Sequence, residues 1–281
     1  NLTRTPVDFR HFLLKNKITV LNQTPSAFNM LIQEEKKHSD RLEDLRCVVF
    51  GGEKLQFSSL KWWVKKYNTK KVRLINMYGI TEATVHATYY QIKDKDVENN
   101  TPSIIGVPIP DLGCYILNDE QKPVSKGEFG ELYIYGKGLA RGYLNLPKFT
   151  QERFIMNPSF NKRLLKTGDV VRENNKGLLE YKGRNDDQVK IRGFRIELSE
   201  IETALCQHDS ITQCAVIKRE DDDIPRLVAY YVVRKGINRE GISRKSLREF
   251  LRNKIPYYMI PSIFIQLDNI PSLLQGKKDF I

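Results

Sequence analysis

Val72-Arg73-Leu74-Ile75-Asn76-Met77, followed at once by Tyr78-Gly79-Ile80-Thr81-Glu82, is a buried strand running into a polar glycine turn. A short apolar run bounded by turn residues fits a strand with both faces covered. Two such runs precede it: Lys17-Ile18-Thr19-Val20-Leu21-Asn22, and Leu45 to Phe50, which ends in Gly51-Gly52. Helical stretches separate them. Thr24-Pro25-Ser26 supplies a capping residue and a first-turn proline for a helix reaching about Lys37, and Ser58 to Tyr67 reads as a second helix with Trp62 or Trp63 packed inward. Strands alternating with helices imply a parallel sheet, whose ligands sit outside the strands' carboxyl ends. The ends near Asn22, Gly51 and Met77 to Glu82 are therefore expected to face one site.

From about Thr101 the texture changes to short strands punctuated by Gly, Pro, Asn and Asp: Gly113 to Leu117, Gly130 to Tyr135 and Leu178 to Lys182. That is the pattern of a small antiparallel sheet or barrel. Gly183-Arg184-Asn185-Asp186-Asp187 is polar and turn-forming, and beyond it helix and strand patterns mix again. Glu197 to Cys206 and Arg244 to Asn253 read as helices, Gln213 to Lys218 and Arg226 to Val233 as strands. The expected fold class is α/β plus α+β, with part of a parallel α/β sheet subdomain over residues 1–100, a small antiparallel β-barrel-like subdomain over 101–185, and a small α+β C-terminal domain over 186–281.

The chain has 281 residues, 40% of them apolar and 28% charged, the mix of a globular protein with a real core rather than a disordered or fibrous one. No apolar run approaches the span of a bilayer, so no membrane role is expected. Lys and Arg outnumber Asp and Glu by 46 to 34, but the basic residues are scattered and interleaved with acids, as between Lys93 and Glu98. A nucleic-acid footprint would cluster them, so no nucleic-acid partner is expected. The four cysteines, Cys47, Cys114, Cys206 and Cys214, show no paired spacing and read as buried thiols of a cytoplasmic protein. The chain opens on Asn1 without a signal segment and is expected to be a piece of something longer.

Six ordered motifs carry a family resemblance. They are Asn76 to Glu82; Gly130-Glu131-Leu132 through Gly136-Lys137-Gly138-Leu139-Ala140-Arg141-Gly142-Tyr143; Lys166-Thr167-Gly168-Asp169; Gly183 to Gly193; Ile255-Pro256-Tyr257-Tyr258-Met259-Ile260-Pro261; and Gly276-Lys277. Together they resemble the adenylate-forming enzymes, and most nearly the amino-acid adenylation domains of nonribosomal peptide synthetases. The resemblance implies a ligase that activates an amino acid with ATP and Mg2+ as an aminoacyl-AMP. The acyl group then passes to the phosphopantetheine thiol of a peptidyl carrier protein among other synthetase domains.

The same resemblance implies roles for single residues. Tyr78, with Gly79 beside it, lies against the adenine, Thr81 reaches a phosphate oxygen, and Glu82 holds magnesium, a hard cation that prefers carboxylate and phosphate oxygens. Asp169 accepts from the ribose hydroxyls with Arg184 assisting, and Asp186 is the hinge of a mobile C-terminal domain. Lys277 neutralises charge as the adenylate forms, with Lys278 its adjacent rival. Ile80 stands where proline is more usual, Ser199 where glycine is, Gln275 where asparagine is, and Phe280 where a basic residue is common.

By resemblance, Asn22, Val49, Gly51, Met77, Val85 and His86 line the side-chain pocket. Asn22 and His86 offer hydrogen-bonding groups and Val49, Met77 and Val85 apolar walls, a set that resembles threonine-activating pockets. The family's glycine-, serine- and threonine-rich phosphate loop and the aspartate for the substrate ammonium are expected to precede Asn1. The alternatives are an inactive folded remnant or partner-binding fragment, and an acyl- or aryl-CoA ligase, against which stands the wording of Gln188-Val189-Lys190-Ile191-Arg192-Gly193.

Overall fold

The structure is a computed structural model that describes residues 5–99, 101–186, 188–221, 224–234 and 243–270. By its internal packing the chain divides into two compact units, Asn1–Asp186 and Asp187–Ile281.

In the first unit, helix α1 (Pro6–Lys15) starts on Thr5, whose hydroxyl accepts from the Asp8 amide at 3.2 Å. Strand β1 (Val20–Gln23) leads into α2 (Pro25–Glu35), where Thr24 caps the Ala27 amide at 3.3 Å and Pro25 fills the first turn. β2 (Cys47–Phe50), α3 (Lys61–Tyr67) and β3 (Arg73–Tyr78) follow, and β1, β2 and β3 pair in parallel. The helix expected from Ser58 is a 3-10 turn over Phe57–Leu60 that continues as α3.

The first core forms where α2 and α3 cover this sheet. Phe28 stands edge-on to Phe50 and Trp63, with centroids 5.0 and 4.6 Å away, and Trp63 stacks on Tyr67 at 4.3 Å. Of the two tryptophans, Trp63 is the one fully inside. Beside it lies a buried charge: Glu35 accepts from Arg10 at 2.6 Å, Lys66 at 2.7 Å and Tyr67 at 2.5 Å, tying α1, α2 and α3 together. A buried carboxylate survives only with such a full set of donors.

The remaining elements of this unit are β4 (Thr88–Ile92), α4 (Asp94–Glu98), β5 (Ile104–Pro108), β6 (Leu112–Leu117), β7 (Gly130–Gly136), α5 (Pro147–Arg153), β8 (Phe154–Asn157), β9 (Lys162–Glu173) and β10 (Leu179–Arg184). β4 turns back antiparallel on β3, and the parallel and antiparallel strands run on as one ten-stranded sheet in the order β1-β2-β3-β4-β5-β10-β9-β7-β6, with β8 on β9. The junction is made by β4 and β5, which carry the hydrogen-bonded ladder across from one segment to the other.

The second unit opens with a hairpin of β11 (Gln188–Ile191) and β12 (Phe194–Glu197). Helix α6 (Leu198–Cys206) then packs Ile201 and Leu205 into a core with Val216 of β13 (Ile211–Asp221), Ala229 of β14 (Ile224–Val233), Leu247 and Leu251 of α7 (Arg244–Arg252) and Phe264 of β15 (Ile263–Leu267). β13 and β14 form an antiparallel pair, and β15 joins β14 in parallel.

The cysteines differ from the sequence expectation of buried, unrelated thiols. Cys206 is exposed and Cys114 half-buried, and the Cys206 and Cys214 sulfurs lie 3.1 Å apart, because the end of α6 returns over β13. Among the described residues, no helix is long and apolar enough to cross a membrane.

Candidate functional site

Parallel pairing of β1, β2 and β3 brings their carboxyl ends side by side. Asn22 is opposite Val49 in the register of β1 and β2, and Phe50, the residue before Gly51, is opposite Asn76 in that of β2 and β3. His86 comes to the same place from the loop after β3: a Cβ built on Gly51 would stand 3.4 Å from His86 Cε1 and 3.7 Å from the Met77 carbonyl. Gly51, Met77 and His86 thus meet around one point. Asn22 is exposed on its strand and Val49 half-buried. Val85 has an exposed side chain and a left-handed backbone with φ 73°. Burial lowers the His86 pKa below the ordinary imidazole value, so the ring is neutral at neutral pH and presents one donor and one acceptor.

The loop that carries His86 is closed by its own backbone. Ala87 donates to the Tyr78 carbonyl at 2.7 Å, and a 3-10 turn over Thr81–Ala83 sets Thr81 outward and Glu82 inward. The second strand texture then holds this loop in place: Ala140 donates to the Glu82 carbonyl at 2.8 Å, Thr84 donates to the Gly138 carbonyl at 2.7 Å, and the Tyr143 hydroxyl donates to Glu82 Oε1 at 2.6 Å. Glu82 is a buried carboxylate aimed by Tyr143.

A second carboxylate lies behind Tyr78. Asp169 on β9 is fully buried, and it accepts from Tyr78 at 2.5 Å, Tyr181 at 3.0 Å and Arg184 at 2.9 Å. The register explains the meeting: Arg184 is the cross-strand partner of Asp169, reached after an irregularity in the ladder between Tyr181 and Gly183. Burial first, and then the Asp169 charge, raise the pKa of both phenols, which stay protonated donors. A carboxylate offers about four lone-pair positions, and three donors already hold this one. A ribose diol that reached Asp169 would use the remaining position or displace a tyrosine hydroxyl.

Arg184 also grips Asp186. Its Nε and Nη2 donate to the two Asp186 oxygens at 2.6 Å each, and Arg153 of α5 donates to Asp186 Oδ2 at 3.2 Å. Burial opposes the Arg184 charge, but the hydrogen bonds of Asp186 and the charges of Asp169 and Asp186 outweigh it and hold the pKa above the ordinary guanidinium value. Gly168, at φ +77°, lies under this pair, where a Cβ would stand 2.4 Å from Asp186 Oδ2. Lys277 and Lys278 lie outside the described residues.

Residues 2–144 match the family model described as AMP-binding enzyme, and residues 200–277 the one described as AMP-binding enzyme C-terminal domain. The chain belongs to the AMP-binding enzyme family. It is 44% identical over 283 residues to a dimodular nonribosomal peptide synthase of Bacillus subtilis (strain 168), a match covering 99% of this chain and 12% of that protein. It is also 43% identical over 294 residues to malpinin synthetase of Mortierella alpina, covering 99% and 4%. Among solved structures it is similar to holo-PA1221, an NRPS protein containing adenylation and PCP domains, with TM-score 0.81 at 25% identity, covering 98% of this chain and 46% of that one. The chain therefore spans about an eighth or less of the two curated relatives.

Three residues of this AMP-binding family member act in the site without having been singled out in the sequence. Tyr143 lies inside a glycine motif, yet only the fold shows its hydroxyl on Glu82. Tyr181 stands three residues before Arg184 on β10, an odd spacing that a plain alternating strand would send to the opposite face; the ladder irregularity returns it to Asp169. Arg153 carries no local signal, being the last residue of the short helix α5.

The fold also gives Gly79 a packing reason. A Cβ there would stand 1.9 Å from the Val85 carbonyl oxygen, so the loop closes only over a hydrogen atom. Gly79→Ala is expected to cost about 1–3 kcal/mol as the loop is forced open, measured as a lower urea midpoint. An unchanged midpoint would mean that the loop is not closed over Gly79.

Proposed function

We propose that this chain is the second part of an amino-acid adenylation domain within a larger synthetase. The domain activates the carboxylate of an amino acid at the α-phosphate of ATP, releases pyrophosphate and passes the aminoacyl group to a carrier protein's phosphopantetheine thiol. The observation that carries the reading is the loop after β3, which joins the pocket residues Gly51, Met77 and His86 to the inward carboxylate of Glu82. The nonribosomal peptide synthase of Bacillus subtilis, matched at 44% identity over nearly the whole chain, favours it over a CoA ligase.

Binding of the adenosine falls to Tyr78 and to Asp169 with Arg184, and Thr81 faces a phosphate from the exposed side of the turn. Lys277 supplies a positive charge at the carboxylate and α-phosphate, and Asp186 is the hinge. Magnesium fits Glu82, a hard oxygen donor aimed by a neutral hydroxyl. Among the described residues no group of three or more His, Cys, Asp or Glu could hold a metal, so Glu82 would share the ion with phosphate oxygens. When bound, the ion neutralises phosphate charge.

The amino acid selected is threonine. Asn22 and the neutral His86 match its hydroxyl, and Val49, Met77 and Val85 its methyl, so an amino acid that lacks the hydroxyl leaves those hydrogen-bonding groups unpaired. The test is amino-acid-dependent pyrophosphate exchange by the full polypeptide. Threonine-dependent exchange supports the reading, exchange with a different amino acid removes the threonine assignment, and exchange with none leaves an inactive remnant. His86→Ala is expected to lower kcat/KM for threonine about 10-fold, the worth of one good hydrogen bond, while leaving the KM for ATP unchanged. Equal losses for both substrates would make His86 a structural residue.

A further inference from the structure

Cys206 is the last residue of α6, and Cys214 lies on β13, eight positions on. The short connection between them folds back, so that the two sulfurs lie 3.1 Å apart. Helix and strand are fixed on one another independently of the sulfurs, because the Glu202 carboxylate of α6 accepts from the Val216 amide of β13 at 2.8 Å. Cys214 Sγ in turn donates to the Glu202 carbonyl at 3.1 Å. The two thiols also differ in access: Cys206 is exposed, whereas Cys214 is buried against the core of its unit. A disulfide needs its sulfurs at about 2.05 Å, so about 1 Å of closure separates this pair from a bond. One accessible thiol with a second, sheltered thiol beside it is the arrangement of an attacking and a resolving cysteine.

We propose that Cys206 and Cys214 form a reversible dithiol oxidation site whose oxidant is a peroxide. Cys206 Sγ, as thiolate, attacks one peroxide oxygen; the O–O bond breaks, and with hydrogen peroxide the products are a sulfenic acid and water. Cys214 Sγ then attacks the Cys206 sulfur, the S–O bond breaks, and the hydroxyl leaves as a second water. The two thiols lose two electrons and two protons in all, and the peroxide takes them up as water. A thiol reductant reverses the change by exchange at the disulfide. The bond joins the end of α6 to β13 within one unit. It does not involve Glu82, Asp169 or the pocket residues, so it stands or falls apart from the adenylation reading.

The test treats the full-length polypeptide with hydrogen peroxide, alkylates the remaining thiols and maps the cysteines by non-reducing digestion and mass spectrometry. The expected result is a peptide pair linked through Cys206 and Cys214, lighter by about 2 Da than its reduced form and restored by dithiothreitol. Cys206→Ser changes an exposed position and is expected to fold as the parent does while losing the linked peptide completely. Four results would each overturn the proposal: both thiols still fully alkylated after peroxide, the Cys206 peptide heavier by about 32 Da as a sulfinic acid with Cys214 alkylated, a bond mapped to Cys47 or Cys114, or a linked Cys214 that persists in Cys206→Ser.

Discussion

Asp169→Ala is expected to destabilise the first unit by about 2–4 kcal/mol, because it leaves buried donors, among them the Arg184 guanidinium whose side chain is 7% exposed, without the carboxylate that accepts from them. Three donors lose their acceptor at once: the Tyr78 and Tyr181 hydroxyls and Arg184 Nη1. Asp186 still holds Arg184 at two nitrogens, which keeps the loss below that of a wholly unpaired buried charge. Trp62 and Trp63 are the chain's two tryptophans and both lie in this unit, so urea unfolding followed by tryptophan fluorescence reports it directly. Asp169→Asn keeps the volume but loses the charge and half the acceptor capacity, so its cost is expected to fall between wild type and alanine. A loss under about 1 kcal/mol for Asp169→Ala, the worth of an exposed pair, would show that the cluster is open to water.

Lys277→Ala is expected to remove amino-acid-dependent pyrophosphate exchange by about 100-fold or more, the scale seen when a group that stabilises transition-state charge is deleted. Attack of a carboxylate on the α-phosphate brings two anions together, and a flexible point charge on a long stem suits that need. The residue is isolated from the core motifs in sequence, next to Lys278, so Lys278→Ala is the matched control and is expected to keep most of the exchange. Wild-type exchange in Lys277→Ala, with loss in Lys278→Ala, would transfer the role to the neighbour. Wild-type exchange in both would remove the assignment.

Particular elements show where sequence reasoning stopped. Thr24-Pro25 announced α2 because capping is a local interaction, made within three residues. Thr88-Tyr89-Tyr90-Gln91-Ile92 alternates buried and exposed along β4, but Thr88 stands on the buried side and Tyr89 on the exposed one, so the residue types carry no clean period-two signal. β9 gave no such signal either, since Thr167 and Asp169 are polar and buried together, against the rule that polar residues face water. Glu35 is likewise a charged residue at the end of a surface-like helix, fully buried only because Arg10, Lys66 and Tyr67 arrive from elsewhere.

The sequence by itself determined the alternating strands and helices near its start and the parallel opening of the sheet, because apolar periodicity, caps and glycine turns act over a few residues, while six ordered motifs carried the resemblance to the family. Tertiary structure alone decided which side chains meet: Asp169 with Tyr78, Tyr181 and Arg184, Glu82 with Tyr143, and Cys206 with Cys214. Those meetings depend on strand register, on one irregularity in a ladder and on where a helix returns over a strand. Such features are fixed by packing between distant segments, and no local pattern encodes them.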